Sequence, residues 1–234
     1  MSSGKEMDNA PHIVFLHVGN ETLFPTLLVR SLRMHNPNAS IVQCSDPCSP
    51  KIPGVDEVFR FVGDVSNLMT FRLWCFSSLD ITIPTLFLDT DMLCVGSVDP
   101  AQAIQDADVA VCAREFGCQD IINTSFREMD LSEYSGKTFG EVYPYVACAT
   151  ITRSSKFWKD CLQNLQQLHP KFHFWYGDQE AIRNVANSGA YRVKFLKESI
   201  YGCLPDQRDG PTSQPGQASR APQLYHFKGG VGNR

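Results

Sequence analysis

The chain has 234 residues, enough for one large domain or two small ones, and its 43% hydrophobic and 20% charged residues are ordinary for a globular protein. A net charge of -4 argues against binding along a nucleic-acid backbone, which requires a basic surface. No apolar run approaches the roughly 20 residues that span a bilayer, and residues 1–11 lack the apolar segment of a signal peptide. We therefore expect a cytoplasmic protein with a flexible tail at residues 1–11.

Nine cysteines are scattered along the chain without a CxxC pair. Cys75, Cys94, Cys112 and Cys148 lie inside apolar stretches, where a free cysteine behaves as a small hydrophobic residue. This distribution indicates reduced thiols in a core rather than disulfides.

The first half of the sequence alternates between β-rich runs and helical patterns. Leucines recur at helical spacing from Leu23 to Leu32, and Pro37 ends that pattern. The run at residues 85–89 is apolar without alternation, as is typical of a strand buried on both faces of a mostly parallel sheet. From these patterns we predict strands at residues 12–18, 40–45, 57–62, 85–89 and 108–113, and further helices at residues 67–79 and 100–107.

The second half of the sequence is less regular. A strand is predicted at residues 146–152, followed by a helix at residues 156–168 whose apolar side chains form one stripe. A short helix at residues 177–189, opened by Asp178, precedes a strand at residues 191–196.

Two irregular segments flank these elements. Residues 114–142 have weak periodicity and many polar residues, so they predict an insertion or a flexible flap. Residues 204–223 are rich in Pro, Gly, Ser and Gln and predict a mobile loop. No internal repeat or domain boundary is recognisable, and the β-α rhythm predicts one α/β domain of the Rossmann type.

Asp89 and Asp91 directly follow the buried strand, in the stretch "TLFLDTDML". Since an unpaired carboxylate is strongly disfavoured away from water, this pair needs a partner. Side chains at positions i and i+2 of an extended segment point the same way, and open α/β sheets bind ligands at the carboxyl ends of their strands. A divalent cation, Mg²⁺ or Mn²⁺, held between both carboxylates and a phosphate would meet that need.

An Asp-x-Asp pattern alone is a weak signal, and this chain contains a second one at Asp106 and Asp108. That pair lies between a helix end and a strand start, where aspartates serve as turn and cap residues, so we expect a structural role. Phosphatases of the haloacid-dehalogenase type also carry the pattern after a buried strand, usually the first one. These phosphatases need Thr or Val where this chain has Leu93, and an acid where it has Ile182, so the sequence does not fit a phosphatase.

Four motifs resemble, in order, those of the GT-A glycosyltransferases of family eight, the glycogenin and bacterial lipopolysaccharide-galactosyltransferase type. The stretch "FRLWCFSSLDITIPTLFLDTDMLCVGSV" is similar to the family's Arg-bearing helix and its strand ending in LDxD. "YVACATITRSSKFW", "GDQEAI" and "YHFKGG" resemble its later strand and Trp-bearing helix, its Asp-Gln step and its closing HFxG. The resemblance implies one GT-A (Rossmann-like) nucleotide-diphospho-sugar transferase domain over residues 12–234.

The resemblance also implies a metal and phosphate site. Asp89 and Asp91 would hold Mn²⁺ (or Mg²⁺), with His226 as the third protein ligand and the diphosphate of a nucleotide-sugar completing the shell. Arg72 would pair with the diphosphate or fix one of the aspartates, and Lys228 would neutralise the leaving phosphate.

Other residues would contact the sugar, the base or the acceptor. Asp178 and Gln179 would lie under the donor sugar, although Asp178 alone could equally be a helix cap, and Asn20 would read an edge of the base. The flap at residues 114–142 would select the acceptor, and the loop at residues 204–223 would close over the donor as a lid.

The stretch "LHVGNE" after the first strand lacks the acidic residues with which the family holds uracil, and Val146 stands where relatives often have Asn. His17, at the end of that strand, would contact the base or pack in the core. The expectation is a metal-dependent, retaining glycosyltransferase that moves a hexose from a UDP-sugar to a glycan, lipid-linked or protein acceptor. Two alternatives stay open: a sugar-1-phosphate nucleotidylyltransferase, although "HVGNETLF" has one glycine where that enzyme needs a Gly-rich loop, and a non-catalytic nucleotide-sugar or glycan-binding domain.

Overall fold

The computed structural model describes residues 10–126, 129–206 and 221–227. The strands are β1 His12–His17, β2 Ser40–Ser45, β3 Glu57–Arg60, β4 Thr85–Leu88, β5 Met92–Cys94, β6 Val109–Ala113, β7 Ser125–Phe126, β8 Met129–Asp130, β9 Tyr145–Thr152, β10 Val193–Lys197 and β11 Leu224–His226. The helices are α1 Leu23–His35, α2 Leu68–Ser77, α3 Pro100–Ile104, α4 Phe139–Val142, α5 Lys156–Gln167, α6 Lys171–Phe174, α7 Gly177–Ala186 and α8 Glu198–Tyr201, with a 3₁₀ helix at Ser132–Tyr134.

Seven strands form the central sheet in the order β10-β6-β9-β4-β1-β2-β3. β9 is antiparallel to both of its neighbours, β4 and β6, whereas the other pairs in this sheet are parallel. Because β1, β4 and β6 run in the same direction, their carboxyl ends lie along one edge of the sheet. The predicted mostly parallel α/β sheet is confirmed.

The core consists of two apolar layers, one on each face of the sheet. Alternate residues of one strand face opposite layers, so Ile13 and Phe15 join the layer of α1 and α3, whereas Val14 joins the layer of α2, α5 and α7. Every residue of β4 and β9 is buried, as expected for strands covered on both faces. The predicted apolar stripe of α5 is buried in the second layer through Phe157, Trp158, Cys161 and Leu165.

Most predicted elements are present with shifts of a few residues at their ends. The helix predicted at residues 100–107 already ends at Ile104, because Gln105 adopts a left-handed conformation with φ of 54°. The helix predicted at residues 177–189 ends at Ala186. The sequence patterns did not indicate the short elements β5, β11, α4, α6 and α8.

The segment at residues 114–142 is a structured insertion in its described part. It contains β7, β8, the 3₁₀ helix and α4, and its side chains Ile122, Met129, Leu131 and Val142 are buried in the core. All nine cysteines are reduced, and seven of them are buried. In the described residues, no helix has the length and apolar composition to cross a membrane.

Candidate active site

The carboxyl ends of three parallel strands open onto one large cleft. His17 at the end of β1, Asp89 after β4 and Arg114 after β6 all line it. The first residues of the antiparallel β9, from Val146 to Cys148, lie at the same edge and line its floor. The main-chain N–H of Asp89 donates to the Cys148 carbonyl at 3.1 Å, so the aspartate loop is tied to the sheet. This edge is where open α/β sheets bind ligands.

A two-stranded ribbon brings His226 to the aspartate pair. β11 pairs antiparallel with β5, His226 lies opposite Met92, and the N–H of Phe227 donates to the Asp91 carbonyl at 2.9 Å. As a result, one ligand atom from each of Asp89, Asp91 and His226 lies within 4.8 Å of the others. The His226 Nε2 is 3.9 Å from Asp89 Oδ2 and 3.4 Å from Asp91 Oδ1.

These three side chains fit a divalent cation. Two carboxylates and one imidazole form a donor set that suits Mn²⁺ or Mg²⁺. Ligands about 2.1 Å from one such cation lie roughly 3 to 4.2 Å apart, so both distances from His226 suit a shared ion. Burial alone would lower the pKa of His226, but the neighbouring Cys148, Asp91 and Asp89 raise it above its ordinary value. The cluster therefore attracts positive charge, which a bound cation would supply in place of the imidazolium proton.

A buried arginine links the aspartate pair to helix α7. Arg72 on α2 bonds Asp89 Oδ1 at 2.6 Å and Asp178 Oδ2 at 2.9 Å, and it also donates to the Ala147 carbonyl. Burial acts to lower the pKa of Arg72, but the two carboxylates raise it, so the guanidinium stays charged. Since Arg72 takes one oxygen of Asp89, the other oxygen is left facing His226. Of the two roles predicted for Arg72, fixing an aspartate is visible here, and contact with a diphosphate stays a prediction.

Helix α7 begins with a tightly packed turn that presents Asp178 and Gln179 to the cleft. Tyr176 adopts a left-handed conformation with φ of 57°, and a Cβ on Gly177 would overlap the carbonyl oxygen of Phe172. A glycine is therefore required immediately before the two polar residues. Burial raises the pKa of Asp178, Arg72 opposes this by holding the carboxylate, and Oδ1 accepts the N–H of Gln179 at 2.8 Å. Asp178 thus bonds both its own helix and the arginine.

The cleft is large, about 1930 Å³, and its walls are mainly apolar. Drug-sized ligands typically occupy about 300–1,000 Å³, so this volume has room for more than one small ligand. On one side, Leu23 and Leu27 of α1 are 58% and 42% exposed, and Phe24 lies between them. Phe116 and Trp175 also line the cleft.

The sequence matches no protein-family model and shows no significant similarity to a curated protein. Solved structures, in contrast, share its fold. The galactosyltransferase LgtC in complex with donor and acceptor sugar analogues superposes with a TM-score of 0.60 at 14% identity, over 93% of this chain and 87% of LgtC. The bifunctional glycosyltransferase WbbM gives 0.59 at 14% identity, over 97% of this chain and 47% of WbbM. The glycosyltransferase GlyE of Streptococcus pneumoniae TIGR4 gives 0.56 at 18% identity, over 94% of this chain and 55% of GlyE.

The chain has a GT-A glycosyltransferase fold. The fold predicted from the motifs is therefore confirmed, and it extends over most of the length of LgtC but about half of WbbM and GlyE. At these identities the likeness establishes the fold alone. The assignment of chemistry must rest on the residues of this chain.

The structure brings together most, but not all, of the predicted site residues. Asp89, Asp91 and His226 form one cluster, while Arg72, Asp178 and Gln179 lie beside it in the same cleft. Asn20 is exposed and does not line the cleft, whereas Glu21 and the buried His17 from the same connection do. The Nε2 of His17 has no hydrogen-bond partner among the described residues.

Other predictions fall outside the described residues. Lys228 is one of them, and residues 207–220 of the predicted lid at 204–223 are also outside the described residues. Leu204, at the described start of that lid, lines the cleft. The boundaries of the domain at 12–234 stay a prediction.

The sequence patterns did not indicate Arg114 as a site residue. It lines the cleft and its Nη2 donates to Oε1 of Gln179 at 3.2 Å. One signal could have identified it: Arg114 directly follows the apolar run of β6, at the same strand-end position that drew attention to Asp89 after β4. No motif of the resembled family was matched at this point, so the strand-end position alone was available.

Proposed function

We propose that this protein is a metal-dependent glycosyltransferase that moves a hexose from a nucleotide-sugar, with a UDP-hexose as donor, to a glycan, lipid-linked or protein acceptor. One observation carries the proposal: Asp89, Asp91 and His226 meet at the carboxyl end of β4, inside a cleft large enough for donor and acceptor together. The LgtC structure that shares the fold was solved with donor and acceptor sugar analogues, which supports the same class of ligands here.

The cation would be held by Asp89, Asp91 and His226. When bound, Mn²⁺ (or Mg²⁺) acts as a Lewis acid that stabilises charge on the oxygens of the departing diphosphate. Arg72 orients the centre, because its bond to Asp89 Oδ1 leaves Oδ2 directed at His226. Lys228, two residues beyond His226, would add positive charge near the leaving group.

The donor sugar would lie against the start of α7. Asp178 and Gln179 are presented to the cleft there by the turn at Gly177. The Asp178 carboxylate is held by Arg72 and by the N–H of Gln179, so it is better placed to orient hydroxyl groups than to attack carbon. Departure of the diphosphate ahead of acceptor attack, with retained anomeric configuration, is consistent with the lack of a free nucleophile among these residues.

The remaining parts of the cleft would recognise the base and the acceptor. His17 and Glu21 line the cleft at the end of β1, where the nucleotide base would be read, whereas the exposed Asn20 lies outside the cleft. The insertion at residues 114–142 would select the acceptor, and residues 204–223 would exclude water from the donor. A cytoplasmic location also stays part of the proposal.

The first test is thermal unfolding with UDP, GDP, CDP and ADP, each with and without Mn²⁺. A ligand that binds the native state alone raises Tm by mass action, and about 100 Kd of ligand adds roughly 2.7 kcal/mol. We expect stabilisation by UDP that requires Mn²⁺ and is lost in Asp91→Asn. Asp108→Asn, a change in the surface aspartate pair, is the matched control and should keep the full shift. No metal-dependent shift with any nucleotide would contradict the proposal.

The second test separates an enzyme from its alternatives. Wild-type protein is incubated with Mn²⁺ and UDP-glucose or UDP-galactose, with and without candidate acceptors, and UDP release is measured. Metal-dependent UDP release supports transfer or slow donor hydrolysis, and the anomeric configuration of the product tests retention. Binding without any turnover would favour a non-catalytic nucleotide-sugar-binding domain, and release of pyrophosphate from UTP with a sugar phosphate would favour a nucleotidylyltransferase.

A further inference from the structure

A second arginine in the cleft is held rigidly. The guanidinium of Arg114 donates through Nε to the Tyr143 carbonyl at 2.7 Å, and its Cζ lies 5.2 Å from the ring centre of Phe139. Its Nη2 donates to Oε1 of Gln179 at 3.2 Å. Two of these three contacts do not involve Gln179. The arginine is therefore the fixed member of the pair and the glutamine is the member that it orients.

The main chain around Arg114 is equally constrained. Its N–H donates to the Pro144 carbonyl at 2.8 Å, which extends the β6–β9 pairing by one residue. The next two N–H groups, of Glu115 and Phe116, both donate to the buried carboxylate of Glu198, at 2.7 and 2.9 Å. In return the Glu115 carboxylate accepts the N–H of Ser199 at 2.8 Å. These reciprocal bonds between the residues after β6 and helix α8 hold the base of the Arg114 side chain in place.

The contact determines which way the Gln179 amide points. The oxygen and nitrogen of a glutamine amide are nearly indistinguishable by shape, and their assignment depends on their partners. Arginine has five N–H donors and no acceptor, so the amide atom that faces Arg114 must be the oxygen. Oε1 is thereby engaged, and within the described residues Nε2 makes no hydrogen bond. Because Gln179 lines the cleft, Nε2 is the amide atom left for a ligand.

We propose that Arg114 is a positioning residue that turns the oxygen of Gln179 away from the substrate, so that Gln179 acts on the donor sugar as a hydrogen-bond donor through Nε2. The inference rests on the proposed function, because it names a sugar as the ligand. An N–H of this kind can bond a hydroxyl, ring or bridging oxygen of the sugar. The hydrogen bond from Arg114 to Oε1 also argues against attack by Oε1 on the anomeric carbon, since a hydrogen bond from a cation withdraws electron density from that oxygen.

The contact is tested first in the unliganded chain, by a double-mutant cycle on thermal stability. Arg114→Met, Gln179→Leu and the double variant are compared with wild type, so that the lost Tyr143 and Phe139 contacts cancel. We expect the sum of the Tm losses in the two single variants to exceed the Tm loss in the double variant by about 2 °C, as for residues that share a hydrogen bond. Arg153→Met is the matched control, because Arg153 also donates to main-chain carbonyls, at the opposite edge of the sheet, and should show no coupling to Gln179.

The role of the amide is tested by UDP release from the UDP-hexose that the wild type turns over. We expect Arg114→Met to lower kcat about 10-fold with little change in KM, and to cause no further loss in the Gln179→Leu background. Gln179→Glu has no N–H and a better nucleophile, so it should lose as much kcat as Gln179→Leu. Full activity of Gln179→Glu, additive kcat losses in the cycle, or absence of coupling in the unliganded chain would each overturn the proposal. Failure of the wild type to bind any nucleotide with Mn²⁺ would instead refute the proposed function, and the sugar contact with it.

Discussion

Two Asp-x-Asp pairs occur in this chain, and in the pair at Asp106 and Asp108 the second aspartate joins two strands at the surface of the protein. Asp108 accepts the main-chain N–H of Arg192 at 2.9 Å and its Nη2 at 2.8 Å, which joins the start of β10 to the start of β6. Both carboxylate oxygens are used by one residue. The Arg192 side chain is 67% exposed, so water competes for each of these bonds.

The pair at Asp89 and Asp91 has different surroundings. Its arginine, Arg72, has a side chain that is 11% exposed, and it is shared with the buried Asp178. One oxygen of Asp89 and one of Asp91 are directed at His226 rather than at an arginine or a main-chain N–H. The comparison teaches that the pattern alone does not define a binding site. A binding site requires carboxylate oxygens that the fold has grouped together but left unused.

The two aspartate pairs should differ most in how much stability is lost when their arginine is replaced. Arg72→Met should lower the free energy of unfolding by about 3–5 kcal/mol, because it leaves the buried Asp178 and the half-buried Asp89 without the guanidinium that pairs with both carboxylates. Arg192→Met should change the denaturation midpoint very little, since its pair is exposed. Urea unfolding of both variants measures this, and equal losses would show that burial does not distinguish the two networks.

A second prediction concerns the effect of each aspartate pair on turnover. Asp91→Asn should reduce donor turnover about 100-fold or more, as is typical when a charged group that stabilises a transition state is removed. Asp108→Asn should keep turnover within a factor of two, because none of its contacts reaches the cleft. Initial rates of UDP release at saturating Mn²⁺ and donor measure the effect. A similar loss in both variants would indicate a general effect of removing negative charge.

The fold was predictable because its signals are local. Runs of apolar residues locate β1, β2, β4 and β9 to within about one residue of their observed ends, since each run must be buried wherever the sheet forms. The ribbon of β5 and β11 was not predictable from periodicity. Each strand has three residues, and the partners are separated by more than half of the chain.

The site was predictable in part, for the same physical reason. Asp89 and Asp91 are conspicuous because two carboxylates directly follow a buried strand. His226 could be assigned only through a resemblance, because its contact with Asp91 depends on the long-range ribbon. Arg114 has no motif at all, and its importance comes from a side-chain contact to Gln179 across 65 positions of sequence.

A third prediction extends the comparison to the helix that supports the first pair. Gly177→Ala would press a Cβ against the Phe172 carbonyl and a Leu165 methyl, so α7 must shift and carry Asp178 away from Arg72. We expect a loss of about 1–3 kcal/mol in stability, typical of overpacking, together with reduced donor turnover. Gly96→Ala is the control, because its Cβ would meet Gln223 at an ordinary 3.6 Å. Unchanged stability of Gly177→Ala would show that the turn relaxes at no cost.

The smallest effect is expected at Asp108, and its dependence on pH can identify the cause. Arg192 lowers the pKa of Asp108 to about 2, below the ordinary value of 3.8. A group whose pKa is lower in the folded state stabilises the fold above its unfolded pKa, and this stabilisation is lost as the pH falls through the folded value. The Tm of wild type should therefore exceed that of Asp108→Asn by no more than about 2 °C at pH 6, a small gap because the pair is exposed. The gap should stay constant down to about pH 4 and narrow below it. A gap that persists unchanged to pH 3 would mean that Asp108 acts through hydrogen-bond geometry that asparagine cannot reproduce, and not through its charge.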